Sequence, residues 1–241
     1  MTGIYLNVAG IVAGGLVGLA RPKSLANATQ FFAKTTLGAL TVFFGLRLIW
    51  LSFNGTALQI LKQFGVMLLA LSLGKLLGQL LRLQKTSNRL GQYAREQLAA
   101  GAPGKADRFV TGFKVCSALF CAAPIGILGA LHGSLSDYWA PLVIKAVLDG
   151  LAAMGFVSLF GWGVLFSAVP VLVLQGMISL ACARFLLPLL DAHRLTDSVN
   201  ATGGFLIFCV ALVIFEVRKI QVTDYLPSLA VAPLLTWWWL R

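Results

Sequence analysis

The chain has 241 residues, 59% hydrophobic and only 11% charged, where an average soluble domain carries roughly 25% charge. With a mean hydropathy of +0.87, this excludes a water-soluble enzyme, a disordered chain and a disulfide scaffold, and points to a polytopic integral membrane protein. The net charge of +11 does not indicate nucleic acid, because most of the basic residues flank hydrophobic runs, where they fix orientation.

The apolar runs follow in chain order. Residues 1–2 offer no basic segment before the first run, so no cleaved signal peptide is expected. The first run, 4–20, is rich in glycine and closes on Arg21, Pro22 and Lys23. The second spans about 36–53 and the third about 58–83, with Lys62, Lys75 and Arg82 along it. Residues 84–108 form the only long polar stretch. To about Ala99 it reads as a basic helix; Gly101, Pro103 and Gly104 make the rest a linker. The fourth run, 109–131, is interrupted around Pro124, and 132–137 is a polar turn. The fifth, 141–160, carries Lys145 and Asp149. Gly161 and Gly163 separate it from the sixth, 164–190, too long for a straight span, where Pro170 should bend or begin the membrane part. The seventh runs over about 199–217, before Arg218 and Lys219. The eighth, about 222–240, ends in Trp237, Trp238 and Trp239, which suit the headgroup level. At about 20 residues per span, the fold class is an all-α polytopic membrane protein of about eight transmembrane helices. Cys116, Cys121, Cys182 and Cys209 lie inside apolar runs and read as small buried residues, with no disulfide expected.

The organisation expected is a three-helix unit over 1–83, a cytoplasmic basic loop over 84–108, a central helix pair over 109–160, and a second three-helix unit over 161–241. At a constant offset, Gly10 meets Gly176, Pro22 meets Pro188, Thr36 meets Thr202 and Gly38 meets Gly204, while TLGALTVFFGLRLI lies over TGGFLIFCVALVI. Two runs lie between the units, so they would be inverted repeats flanking a central pair with interrupted helices. Many transporters are built this way, with sites near the midplane; the plainer reading is an old duplication kept as a scaffold.

Gly10, Gly14 and Gly18 fall on one helix face as a doubled GxxxG, and Gly74 and Gly78 repeat the spacing. Bare backbone there permits close helix packing; a backbone-lined path is the alternative. Lys145 and Asp149, four residues apart, share a face of an otherwise apolar span, with Asp149 roughly 12 Å from its start and near the midplane. An ion at that depth costs at least about 2.5–3.5 kcal/mol unless paired or hydrated, so the two read as a structural ion pair or as part of an ion path. Asn7, Gln175, Asn54 and Gln59 are further polar groups in or near spans, suited to solute coordination or to interhelical hydrogen bonds. Pro124 and Gly126 would interrupt the fourth helix and free carbonyls, which survive at membrane depth only when buried in protein or facing water. The two histidines, His132 and His193, fall in predicted outer turns without metal spacing. No catalytic or nucleotide-binding motif is present, so neither an enzyme nor an ATP-driven pump is expected, and no cofactor or metal. The basic helix after residue 84 suits anionic lipid heads or serves only to set topology.

The segments NVAGIVAGGLVG, FCAAPIGILGALHG, IKAVLDGLAAMGF and VPVLVLQG resemble the domain-of-unknown-function 554 family, bacterial inner-membrane proteins, over nearly the whole chain in order and spacing. The resemblance implies residence in the plasma membrane and a transport-like role, with no established substrate. It implies that Cys121, Gly126, Gly129, Lys145 and Asp149 fall on the family's recurrent motif. Pro124 departs from it where a small residue is expected, and Lys75 replaces an acid.

The expected function is a channel or secondary transporter for an ion or small polar solute in the bacterial inner membrane, with a path through Asp149, Lys145, Asn7, Gln175, Pro124 and Gly126. The alternative is a non-transporting scaffold or accessory subunit. Expected partners are the lipid bilayer and an unknown ion or small solute, with a homo-oligomer left open and no nucleic acid. With eight spans and 84–108 inside, the inner side holds 12 basic residues and the outer side 5, leaving Lys75 and Lys145 within spans. That bias places both termini outside. In a background without native cysteines, a cysteine at Ser136 should react with an impermeant thiol reagent in intact cells and one at Gln92 should not. Outside labelling at Gln92 overturns the orientation.

Overall fold

A computed structural model describes residues 1–20, 26–99, 107–218 and 220–239. Arg21, Pro22, Lys23, Gly101, Pro103, Gly104, Lys105, Lys219 and Arg241, which the expectations above invoke, lie outside these residues. The described elements are helical: α1 (Thr2–Ala20), α2 (Asn27–Ser52), α3 (Ala57–Leu80), α4 (Leu83–Ala99), α5 (Arg108–Ala122), α6 (Pro124–Leu135), α7 (Ala140–Phe160), α8 (Gly163–Phe166), α9 (Ala168–Ala181), α10 (Leu187–Ala192), α11 (Thr196–Ile214) and α12 (Ser228–Trp239). A π-helical turn, Cys182–Leu186, joins α9 to α10, and a 3₁₀ turn, Val222–Tyr225, precedes α12.

Six stretches are long and apolar enough to cross a membrane: α1, α2, α3, α7, the α8–α10 stretch and α11. The α5–α6 pair, bent by 58°, makes a seventh if taken as one span. The expected eighth run is not one long helix. Pro227 separates the 3₁₀ turn from α12, whose 12 residues cover only about 18 Å of a core about 30 Å thick.

Local sequence explains the breaks. Ala123 is extended (φ −68°, ψ 117°) because the residue before a proline avoids the helical region. Pro124 then opens α6, where its missing N–H costs nothing. In the sixth run the irregularities fall at Ser167, before Pro170, and at the π turn ahead of Pro188; Pro170 itself sits in the first turn of α9. α3 opens on a capping box between Thr56 and Gln59, which gives Gln59 a structural role. The α7 chain ends at Gly161, whose φ of +66° suits a residue without a Cβ. Arg108 of α5 donates to the carbonyls of Ser158 and Leu159 at 3.1 and 2.9 Å, satisfying orphan groups at the end of α7. α2 begins nine residues before its apolar run, because the polar segment NATQFFAK is helical too.

Close contacts fix the helix directions. A Cβ on Gly10, Gly14 or Gly18 would lie 2.4, 2.0 or 2.4 Å from the carbonyl oxygens of Ala146, Gly150 and Met154. Both numbers rise together, so α1 and α7 run parallel, backbone against backbone. Gly38 faces Phe215, Gly45 faces Phe208 and Gly204 faces Ile49, so α2 and α11 are antiparallel. Gly74 meets Ser228 and Gly78 meets Asp224, which makes α3 and α12 antiparallel as well. Asn7 meets Gln175, and Met1 meets Ser179, so α9 opposes α1. Met1 and Trp239, the first and last described residues, therefore lie at one end of the bundle, its terminal end, and the α3–α4 corner at the other. There Gln84 binds Asp224 through its N–H at 2.7 Å and accepts from Thr223 N–H at 3.2 Å. The residues paired at the constant offset differ in their surroundings: Gly38 on Phe215 and Gly204 on Ile49 are matching contacts at that offset, whereas Gly10 is pressed onto Ala146 and Gly176 has nothing within 4 Å.

The outward faces are apolar. Trp50 is 82% exposed and Leu80 79%, as a lipid-facing surface requires and a soluble monomer avoids.

The α1–α7 contact carries a test. At Gly14 even a methyl group would sit 2.0 Å from a backbone oxygen, which no side-chain rotation relieves. Gly14→Ala should destabilise the purified protein by about 1–3 kcal/mol, whereas Gly176→Ala, in open space, should leave the melting temperature unchanged. Equal melting for both variants would show that α1 and α7 do not meet this closely.

Candidate functional site

The glycine contact between α1 and α7 sets the site. Asn7 lies one residue short of a turn before Gly10, and Lys145 and Asp149 directly precede Ala146 and Gly150 in α7. Closing the two backbones therefore brings Asn7 against the charged face of α7. Lys145 is wholly buried and Asp149 is 7% exposed. The Lys145 Nζ donates to the Asp149 carboxylate within one helical turn. Asn7 also reaches that carboxylate, and its Nδ2 donates to Gln175 Oε1 at 3.2 Å. The Asn7 Oδ1 is buried and has no hydrogen-bond partner.

The broken α5–α6 span closes the opposite side. The Phe120 ring lies 5.9 Å from Lys145 Nζ, within cation–π range. A Cβ on Gly126 would lie 2.7 Å from Lys145 Cε and 3.0 Å from Gln175 Nε2. Gly126 thus makes room for both side chains, and the kink at Pro124 sets its angle. Of the sequence-predicted site residues, Asn7, Lys145, Asp149, Gln175 and Gly126 come together where α1, α6, α7 and α9 meet. Pro124 stands at the break that shapes this junction. Gly10, Gly14 and Gly18 form the contact that assembles it.

The surroundings differ along the bundle axis. Toward the α3–α4 corner the site is capped by an apolar cluster that includes Ile11, Phe120, Val157, Phe160, Val164 and Val171. Toward the termini, one turn beyond Gln175, Ser179 shares a 2.5 Å hydrogen bond with Ser134. A shallow depression lined by Met1, Thr2, Asp137 and Ser179 opens beside them. The recess at Cys121, Gly126 and Gln175 is too narrow for a water molecule.

Sequence reasoning missed three things. Phe120 gave no signal, because an aromatic in an apolar run is unremarkable. His132 lies in α6, not in an outer turn: it is wholly buried, with Nδ1 3.1 Å from Asn200 Oδ1. The signal available was the small Gly203 on the facing helix, where a Cβ would lie 1.7 Å from His132 Nε2. The third is a polar cavity of about 230 Å³ between the ends of α2, α3, α11 and α12. His193 lines it, and nearby the Asn54 backbone carbonyl accepts from the Gln63 side chain at 3.2 Å, while the Asn54 amide donates to the Leu51 carbonyl at 3.4 Å. Among the described residues no group of three or more His, Cys, Asp or Glu side chains is placed to hold a metal ion.

Removing one partner of a buried pair leaves an uncompensated charge, at a cost of about 3–5 kcal/mol. Asp149→Asn should therefore lower stability by that order, because it strands Lys145. The double change Lys145→Met with Asp149→Leu should recover most of it, since the space is then filled without charge. Denaturation of the three proteins in one detergent checks this. A stable Asp149→Asn protein would mean that Lys145 is not held buried as an ion.

Among curated proteins, the chain is 26% identical over 239 residues to "Uncharacterized membrane protein YdfK" of Bacillus subtilis (strain 168), covering 98% of this chain and 95% of that protein. It is 27% identical over 238 residues to "Uncharacterized protein YqgA" of Escherichia coli (strain K12), covering 98% and 97%. No solved structure matches it. The family model described as "Protein of unknown function (DUF554)" matches residues 2–237, so the all-helical chain with its glycine-seated charge pair belongs to the DUF554 family.

Proposed function

We propose that this protein is a channel or secondary transporter that moves a small ion or polar solute across the bacterial inner membrane, as a multi-pass protein. The observation that carries the reading is the buried Lys145–Asp149 pair ringed by two carboxamides, one of which keeps an oxygen, Asn7 Oδ1, with no partner. Ionisable groups at such depth belong typically to ion paths and proton relays. The chemistry favours a small cation or a proton. The Asp149 carboxylate and the Asn7 and Gln175 oxygens are acceptors, and the Lys145 ammonium already occupies the place of a bound cation. A proton or cation arriving at Asp149 would compete with that ammonium, and this competition gives the exchange.

The helix directions support an inverted-repeat architecture. α1, α2 and α3 are opposed by α9, α11 and α12, pair by pair, as a pseudo-two-fold axis in the membrane plane requires. On this reading the polar approach past Ser134 and Ser179 is the open half-path, and the apolar cluster around Phe120 and Phe160 is the closed gate.

The second reading is a non-transporting scaffold. It is favoured by the tight packing beside Gln175, where the recess admits no water. Flux separates the two. Protein reconstituted into liposomes should carry protons or a small monovalent cation, read with a pH dye and a panel of cations. The Lys145→Met, Asp149→Leu protein should lose that flux, by tenfold or more, while keeping its melting temperature. Absence of flux for every member of the panel supports the scaffold. Undiminished flux in the double variant removes the pair from the mechanism.

A further inference from the structure

The cavity between the ends of α2, α3, α11 and α12 lies at the terminal end of the bundle, away from the charge pair. Its wall carries both charges: Arg194, in the α10–α11 turn, and Asp197, in the first turn of α11. Neither belongs to an ion pair among the described residues; the Asn54 side chain that faces Asp197 is neutral. Ser198, Gln63 and Thr236 add polar atoms, and Met67 adds an apolar wall. At about 230 Å³ the space is smaller than the roughly 300–1,000 Å³ of a drug-sized ligand site. It suits a polar head, not a whole amphiphile.

An apolar groove adjoins it. Leu61, Gly65, Leu68 and Leu69 of α3 line this groove with Trp239 of α12, giving about 430 Å³ on the outer face. Val66 borders both spaces. The notch exists because Gly65 has no side chain and nothing stands within 4 Å of where one would be. Lys62 lines the groove as well, on a stem long enough to carry its ammonium to the headgroup level. Trp237 lines the cavity and Trp239 the groove, and tryptophan concentrates at that level.

We propose that this end of the bundle is a binding site for one phospholipid whose head carries both a phosphate and a primary ammonium. The phosphate lies against the guanidinium of Arg194, the strongest planar partner for it. The ammonium lies against Asp197. One acyl chain follows the Gly65 notch past Val66. A head with phosphate alone leaves Asp197 facing a like charge, and a free head without a chain forgoes the groove.

Native mass spectrometry of the full chain in detergent, titrated with defined lipids, tests this. The probes are phosphatidylethanolamine, phosphatidylglycerol, soluble phosphoethanolamine and inorganic phosphate. The expected result is one phosphatidylethanolamine per chain, bound at least tenfold more tightly than phosphatidylglycerol and far more tightly than either soluble compound. Arg194→Gln should weaken it tenfold or more, and Asp197→Asn should erase the preference between the two lipids. Gly65→Leu fills the notch in open space, so the protein should keep its melting temperature and lose the lipid. Equal binding of the two lipids by the unaltered protein overturns the assignment. So does lipid binding that survives both Arg194→Gln and Gly65→Leu. Phosphoethanolamine or phosphate binding as tightly as the lipid would show a site for soluble anions instead.

Discussion

The contact of α1 on α7 at backbone distance governs the rest of the structure. Gly10, Gly14 and Gly18 lie on carbonyl oxygens of α7, and Gly150 returns the contact onto Gly10. In a bilayer no hydrophobic force pulls helices together, because lipid tails are as apolar as side chains; close packing and polar contacts must do it. Three bare turns on α1 supply the packing. They also fix register: with Gly10 on Ala146, Asn7 has no choice but to sit near Asp149. Packing and polar chemistry are thus one arrangement, and loosening the first removes the second.

A buried ion pair is weak evidence for stability in itself. Desolvating Lys145 and Asp149 is offset only by their mutual bond, the Asn7 amide and the Phe120 ring, and a well-packed apolar pair is often as stable or more so. Folding alone therefore gives no reason for these two residues. The kink at Pro124 and the glycine at 126 are further departures from regular helix packing at the same place. Each costs local order, and each brings a polar or polarisable group to the pair. Several rules of helix building are broken together at this place, as is expected where function resides.

Much of this was legible in the sequence. Hydropathy located α1, α3, α7 and α11, since long periodic segments carry the strongest signal. The spacing of Lys145 and Asp149 put them on one face, and the glycine spacing predicted close packing. What stayed hidden depends on three dimensions. That α1 pairs with α7, and not with its neighbour α2, follows from no local pattern. The helical extension 27–35 reads as polar loop because hydropathy measures lipid preference, not helix formation. His132 reads as a turn residue because polar groups look terminal in sequence, whereas Gly203 on a distant helix opens space for its ring. The shortness of α12 was visible in Pro227, but a continuous apolar run concealed it.

The two ends of the bundle are built on different principles. At the α3–α4 corner, polar groups tie the elements to one another: Gln84 with Asp224 and Thr223, and Arg108 with the end of α7. An apolar cluster fills the space beneath. At the terminal end, Arg194 and Asp197 belong to no ion pair among the described residues and stand around a cavity, and Ser134 and Ser179 lead inward to the carboxamides. An end whose elements are tied together by such bonds over an apolar filling is suited to staying shut, while an end with charged groups around open space is suited to meeting something from outside. The asymmetry follows from the chain itself. α4 is available to cover only one end, and the opposite end is left to short turns at 53–56, 136–139 and 193–195, which close the helices without covering what lies between them.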